Sequence, residues 1–397
     1  MSAANLKLSR PLPVIGTVQG YAWGKIGATS RISSFLEGFE TTKPIAEYWL
    51  GAHPKAPAQV ILPDGTRMGL DHLYQDDQRL SWMLKVLSIN PDFGLSIQSH
   101  PDSRWAQVLH SRDPENYPDP FHKPEMGVAL TPVTLLYGFR PLPEIARVLE
   151  RFPEIKPVWG DSFCCRLQEV SEPYDTSIMR EMLSLLLRAD RSAIAAAVEA
   201  LMMQRGDVVD IPMEIATLRR LYPRYGAADV GLLALFVMNI VSVSPGLGIF
   251  IGSNIPHAYL DGDLVECMAC SDNVIRAGLT SKYTDVESLL ETVSFESATR
   301  PSLLTAKGVR DDFSFFEVPV PDFSLGVVRE GSGVTMFRAH AEPSLLFVLG
   351  EEATVRSLES GVSIQLRDGG AVLLPGLSGG YEVTRRNASL FWAGAGR

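Results

Sequence analysis

Between Pro13 and Arg140 the apolar residues come in short runs broken by Gly, Pro, Asn and Asp, as in Met83-Leu84-Lys85-Val86-Leu87 and Val133-Thr134-Leu135-Leu136-Tyr137-Gly138-Phe139. That punctuation predicts β-strands joined by turns throughout the stretch. After Pro141 the period changes. Ile178, Met182, Leu185 and Leu186 fall at i, i+4, i+7 and i+8 behind a possible N-cap at Asp175. Ile194, Val198, Leu201 and Met202 repeat the spacing, with Gly206 as the stop. Strand character returns at Gly248-Ile249-Phe250-Ile251-Gly252. Beyond Lys307 further short runs, including Ser344 to Leu349 and Ala371 to Leu374, are separated by Gly350, Gly369 and Gly370.

The expected architecture is therefore mainly β with an α-helical insertion. Residues 1–140 and 240–308 would form a discontinuous catalytic β-sandwich, 141–239 a helical domain and 309–397 a C-terminal lobe patterned like a jelly-roll or cupin. A composition 46% hydrophobic and 21% charged marks an ordered globular protein, and a net charge of -10 argues against nonspecific binding to nucleic acid or anionic membrane. Small-molecule partners and a monomer are expected. The most apolar stretch, Val230 to Val243, carries Asn239 and Ser242 and is too short for a bilayer. No secretory signal is visible in Met1 to Pro13, so a cytoplasmic location is the expectation. Cys164-Cys165 and the C-x-x-C of Cys267 and Cys270 lack the second pair that a zinc knuckle needs, which leaves free thiols as the simpler reading.

Candidate chemistry lies in three places. In Leu95-Ser96-Ile97-Gln98-Ser99-His100 strand alternation puts Gln98 and His100 on one face, with Ser96 beside them. Pro124 denies His122-Lys123-Pro124-Glu125-Met126 a helical interior and favours a strand edge. His257 follows the returning strand far downstream. Imidazole, carboxylate and amide oxygen form a nitrogen and oxygen donor set suited to a catalytic divalent cation. The C-terminal lobe has only His340 and so no ligand cluster, and His53, His72 and His110 receive no role.

Several longer strings add to this: Gly20-Tyr21-Ala22-Trp23-Gly24-Lys25, Ala46-Glu47-Tyr48-Trp49-Leu50-Gly51-Ala52-His53-Pro54, and His257-Ala258-Tyr259 continuing from Gly262 through Glu266-Cys267-Met268-Ala269-Cys270-Ser271-Asp272-Asn273-Val274-Ile275-Arg276 to Thr280. Together with the Gln98/His100 and His122–Met126 segments they resemble the type I phosphomannose isomerases, zinc-dependent cupin enzymes that interconvert mannose 6-phosphate and fructose 6-phosphate. The resemblance implies one Zn²⁺ per chain held by Gln98, His100, Glu125 and His257. Ser281 stands where that family usually carries proline.

An aldose-ketose isomerase opens the sugar ring, moves a proton between C1 and C2 and stabilises a cis-enediolate. Arg276 is the natural fixed cation for the developing charge. Glu266, Lys123, Asp272 and His122 are the proton-transfer candidates, with Glu266 favoured because burial can raise a carboxyl pKa toward neutrality. An ion pair between Glu266 and Arg276 is expected as readily as the base role, and both can hold at once, with Asp272 then orienting Arg276 or assisting ring opening. Ser96, Lys282 and Lys85 are expected at the phosphate and Tyr259 in the sugar pocket. Competing readings are a sugar-phosphate-binding cupin without turnover, a paralogous isomerase for another aldose, and an oxygen-activating iron enzyme of the same fold.

Overall fold

The computed structural model describes residues 10–36, 38, 40, 42–73, 80–204, 211–295, 303–310, 313–338, 340–376 and 379–396. Two large antiparallel sheets, one of ten strands and one of eleven, carry most of these. Strand His257–Ala269 is the spine of the ten-stranded sheet. It pairs with Trp82–Ile89 from Gly262 to Ala269, with Glu125–Ala129, and near its start with Val133–Phe139 and Gln98. All eight positions of Trp82–Ile89 are buried, which explains why the sequence there reads as a continuous apolar run. Lys85 is its only charge.

A bulge decides which residues of the spine face the site. Thr134 stands opposite Asp261 while Leu135 stands opposite Tyr259, so one residue of the spine is skipped near Gly262, itself at φ 105°. An extra residue reverses the alternation of faces. His257 and Tyr259 lie on the inner side before the bulge, and Glu266 and Met268 after it.

The helical block leaves the sheet after Val133–Phe139 and returns as Met238–Val243, which pairs with that same strand. Helix Thr176–Leu187 is capped as expected, Asp175 accepting from Ser177 N and Ile178 N. Its buried stripe is Met179, Met182, Leu183 and Leu186, turned slightly so that Ile178 and Leu185 lie at its margin. Helix Arg191–Met203 buries Ile194, Val198 and Leu201. Its expected stop, Gly206, lies outside the described residues.

Two expectations are corrected. The stretch to Arg140 is not wholly β, because Ser103–Arg112 is a helix whose N-cap Asp102 accepts from Trp105 N. Nor do residues 1–140 belong to one lobe. Strand Leu12–Ile15 lies between Ala371–Leu374 and Gln59–Ile61 in the eleven-stranded sheet, otherwise built from the long pair Ser344–Ser357 and Gly380–Gly394 and their neighbours. The N-terminal segment thus ties the two lobes, and one core containing Leu12, Val60, Val86, Val265 and Phe347 fills the space between the sheets.

Candidate active site

His100, Glu125 and His257 converge from three separate segments, with their ligating atoms all within 4.8 Å of one another. The strand register accounts for this: Gln98 lies opposite both His257 and Arg276, and Glu125 opposite Met268. Each histidine is fixed by its other nitrogen. His100 Nδ1 donates to Asn273 O at 2.7 Å and His257 Nδ1 to Ile255 O at 2.9 Å, tautomers assigned because a carbonyl can only accept. Both Nε2 atoms then carry lone pairs, have no hydrogen-bond partner among the described residues, and each sits 3.4 Å from one of the two oxygens of Glu125. Burial lowers the His100 pKa to about 4, so its ring is neutral at physiological pH. Burial pushes Glu125 up, while the Lys123 ammonium 3.3 Å away pulls it down, and the net direction is well below the usual carboxylate range. Acceptors facing acceptors in a dry place repel unless a cation lies among them. The donor set therefore fits a divalent metal.

Beside the cradle a row crosses the sheet: Trp49 opposite Lys85, Lys85 opposite Glu266, Glu266 opposite Gly127. Lys85 Nζ lies 3.7 Å from Glu266 Oε2 and 4.8 Å from the Trp49 ring centre. Desolvation opposes the Lys85 charge, but Glu47 and Glu266 outweigh it and raise the pKa above its ordinary value. Glu266 is pushed up to about 8 by burial and by Glu125, against the pull of Lys85. A group poised near neutrality suits proton transfer. Lys123 Nζ lies 3.3 Å from Glu125. The buried Tyr259 hydroxyl has no hydrogen-bond partner among the described residues and sits over Gly127, where an added Cβ would come within 2.7 Å of it.

These groups open into a cavity of about 370 Å³, whose walls include Tyr21, Trp23, Ser96, Gln98, Lys123, Asp272, Arg276 and Lys282. Burial depresses the pKa of Arg276, and burial together with Arg276 depresses that of Lys282. Neither cation has a carboxylate within ion-pair distance among the described residues. Two neighbouring cations left uncompensated in a chain of net charge -10 mark the anion-accepting end.

Residues 12–142 match the catalytic domain of type I phosphomannose isomerase. The mannose-6-phosphate isomerase of Bos taurus is 34% identical over 92% of this chain and 93% of its own length, and that of Homo sapiens 32% identical over 87% and 88%. A solved variant of the Salmonella typhimurium phosphomannose isomerase superposes over 98% of this chain and 100% of its own, with a TM-score of 0.82 and 25% identity. A solved mannose 6-phosphate isomerase bound with zinc and yttrium gives a TM-score of 0.80 at 26% identity, over 98% and 100% of the two chains. This chain belongs to the type I phosphomannose isomerases.

Among the sequence-based candidates, Gln98, His100, Glu125, His257, Ser96, Lys123, Tyr259, Glu266, Asp272, Arg276 and Lys282 all reach the cradle or the cavity wall. His122 does not: its Nε2 lies 2.7 Å from Asp322 Oδ1 of the C-terminal lobe, and it is absent from the wall. Lys85 reaches the cavity, where its ammonium meets Glu266 and the Trp49 ring. The ion pair expected between Glu266 and Arg276 is replaced by that with Lys85. Asp272 does not orient Arg276 either; its carboxylate meets His53 Nε2 at 3.5 Å and Lys55 Nζ at 3.0 Å. Partial burial opposes its charge, but these partners hold its pKa well below the carboxylate range, so it is a fixed anion and not a proton shuttle.

Sequence reasoning passed over Glu47, Trp49 and His53, all in the cavity wall, although they occupy one of the strings that carried the resemblance. It also passed over Asp119. That carboxylate accepts from Ser271 Oγ, Asn273 Nδ2 and Asp272 N, and so ties the segment before Lys123 and Glu125 to the backbone that orients His100. No local pattern marks such a residue.

Proposed function

We propose that this chain is a zinc-dependent isomerase interconverting mannose 6-phosphate and fructose 6-phosphate. The observation that carries this reading is one cavity whose wall holds a buried carboxyl poised near neutrality, two uncompensated cations and Glu125, the carboxylate of the buried His/Glu/His cradle behind it. His100, Glu125 and His257, completed by Gln98, would hold one zinc ion. Bound there, zinc supplies Lewis-acid polarisation of the substrate oxygens at C1 and C2. Glu266 takes the proton from one of these carbons and returns it to the other. Lys123 and Arg276 stabilise the cis-enediolate that forms between the two transfers. Lys282 and Ser96 receive the phosphate, and Arg276, in register with Gln98 and close enough to depress Lys282, spans the two ends of the substrate. Asp272, permanently charged, accepts hydrogen bonds from sugar hydroxyls.

The four cysteines are unpaired, which supports a reducing compartment such as the cytoplasm. No described helix is long and apolar enough to cross a membrane.

Turnover of mannose 6-phosphate in D₂O tests the reaction and its route. The proposal predicts fructose 6-phosphate carrying solvent deuterium at C1, because a proton held by Glu266 exchanges with solvent before its return. Unchanged substrate would remove the isomerase reading, and product without label would replace proton transfer by a hydride shift.

A further inference from the structure

Leu279 stands at φ 51°, a left-handed conformation that a branched side chain rarely adopts. It begins the stretch Leu279-Thr280-Ser281-Lys282 along the cavity wall, and Lys282 N in turn donates to Thr280 Oγ1 at 3.0 Å. The turn is held from the helical insertion. Asp229 Oδ1 accepts from Gly231 N and Leu279 N, each at 2.8 Å, and Oδ2 accepts from Thr280 N at 3.3 Å. The two backbones also touch: a Cβ on Gly278 would lie 2.6 Å from Gly231 N, and a Cβ on Gly231 would lie 2.6 Å from Leu279 N. Only glycine at both positions allows that approach. Burial raises the Asp229 carboxyl above its ordinary pKa, and the three N–H groups that donate to it oppose that shift.

We propose that Asp229 is a positioning residue for the substrate's phosphate, setting through the left-handed turn at Leu279 where Thr280, Ser281 and Lys282 present their donors. The proposal rests on the reading of this rim as the phosphate end of the cavity. It gives the helical insertion a task in the chemistry: its last segment fixes a wall of a site otherwise built on the sheet. Asp229 itself does not line the cavity, so its effect is indirect.

The test compares Asp229→Ala, Asp229→Asn and Lys282→Ala with the unaltered zinc-loaded protein, reading kcat, KM for mannose 6-phosphate, the inhibition constant of inorganic phosphate, and bound zinc. Asp229→Ala is expected to raise KM and the phosphate inhibition constant on the order of tenfold, with kcat within about twofold and zinc unchanged. Asp229→Asn keeps one oxygen for Gly231 and Leu279 but turns an amide toward Thr280 N, so a smaller rise in the same two constants is expected. Should the alanine variant fail to fold, the asparagine variant decides, and unchanged constants in it overturn the proposal. Unchanged constants in Asp229→Ala, beside raised ones in Lys282→Ala, overturn it while leaving the phosphate reading intact. Loss of kcat and zinc together with phosphate affinity would show a general scaffold role and overturn it as well. Unchanged constants in Lys282→Ala would remove the phosphate reading itself.

Discussion

Glu266 illustrates how one side chain's surroundings set its chemistry. The same carboxyl on the surface would be ionised well below neutrality and would make a weak base. Buried beside Glu125 it is raised to about 8, and Lys85 at 3.7 Å limits the rise. A base works only when ionised, so a raised pKa moves the acidic limb of the kcat profile upward, out of the ordinary carboxylate range; the positive charge of bound metal acts in the opposite direction, as Lys85 does. Lys85→Met is therefore expected to shift that limb to higher pH while keeping the metal. Glu266→Gln should lower kcat by ~10²–10⁴-fold with zinc retained. Rate–pH profiles with zinc analysis check both, and an unshifted limb in Lys85→Met would detach that lysine from the base. The preference for Glu266 was legible from its place in the longest string, but its true partner was not. Sequence offers Arg276 as the nearer cation along the chain, whereas Lys85 is brought opposite Glu266 only by strand register.

At the scale of elements, what could be read depended on whether the pattern was local. Helix Thr176–Leu187 declares itself through its cap and its apolar spacing, both properties of consecutive residues. Strand alternation assigns Gln98 and His100 to one face, and the short strand Ile97–Ser99 holds Gln98 at its centre with His100 just past its end. It could not have placed His257 and Glu266 on one face, since their separation is odd and only the bulge near Gly262 brings them into agreement. Helix Ser103–Arg112 was missed because it buries only Ala106 and Leu109, leaving too narrow a stripe to stand out from the short apolar runs around it. The left-handed turn at Leu279 carries no glycine to announce it, and Asp229, which holds it, lies in a different block of the sequence.

For the whole molecule, the division into catalytic sandwich, helical insertion and C-terminal lobe describes the order of elements but not their independence. Leu12–Ile15 is a strand of the C-terminal sheet, and His122, placed by sequence among the proton-transfer groups, links the segment leading to Glu125 with Asp322 across the lobes. The hydrogen bond to Asp322 raises the His122 pKa above its ordinary value. A raised folded-state pKa contributes stability that is fully present below the unfolded-state pKa and is lost as pH climbs through the folded one. Asp322→Asn should consequently lower the urea midpoint more at about pH 6 than at about pH 8.5, a difference that denaturation curves at the two values would reveal; an equal loss at both would mean that the pair's charge does not couple the lobes. On the proposed reading, this assembly holds a metal beside a proton-transferring carboxylate. Its most direct test follows fructose 6-phosphate formation from mannose 6-phosphate by the purified chain before chelation, after chelation and after zinc is returned, alongside His257→Ala. The expected result is activity removed by the chelator, restored by zinc, and absent from the variant together with bound metal. Full activity in the metal-free protein would overturn the zinc-dependent reading.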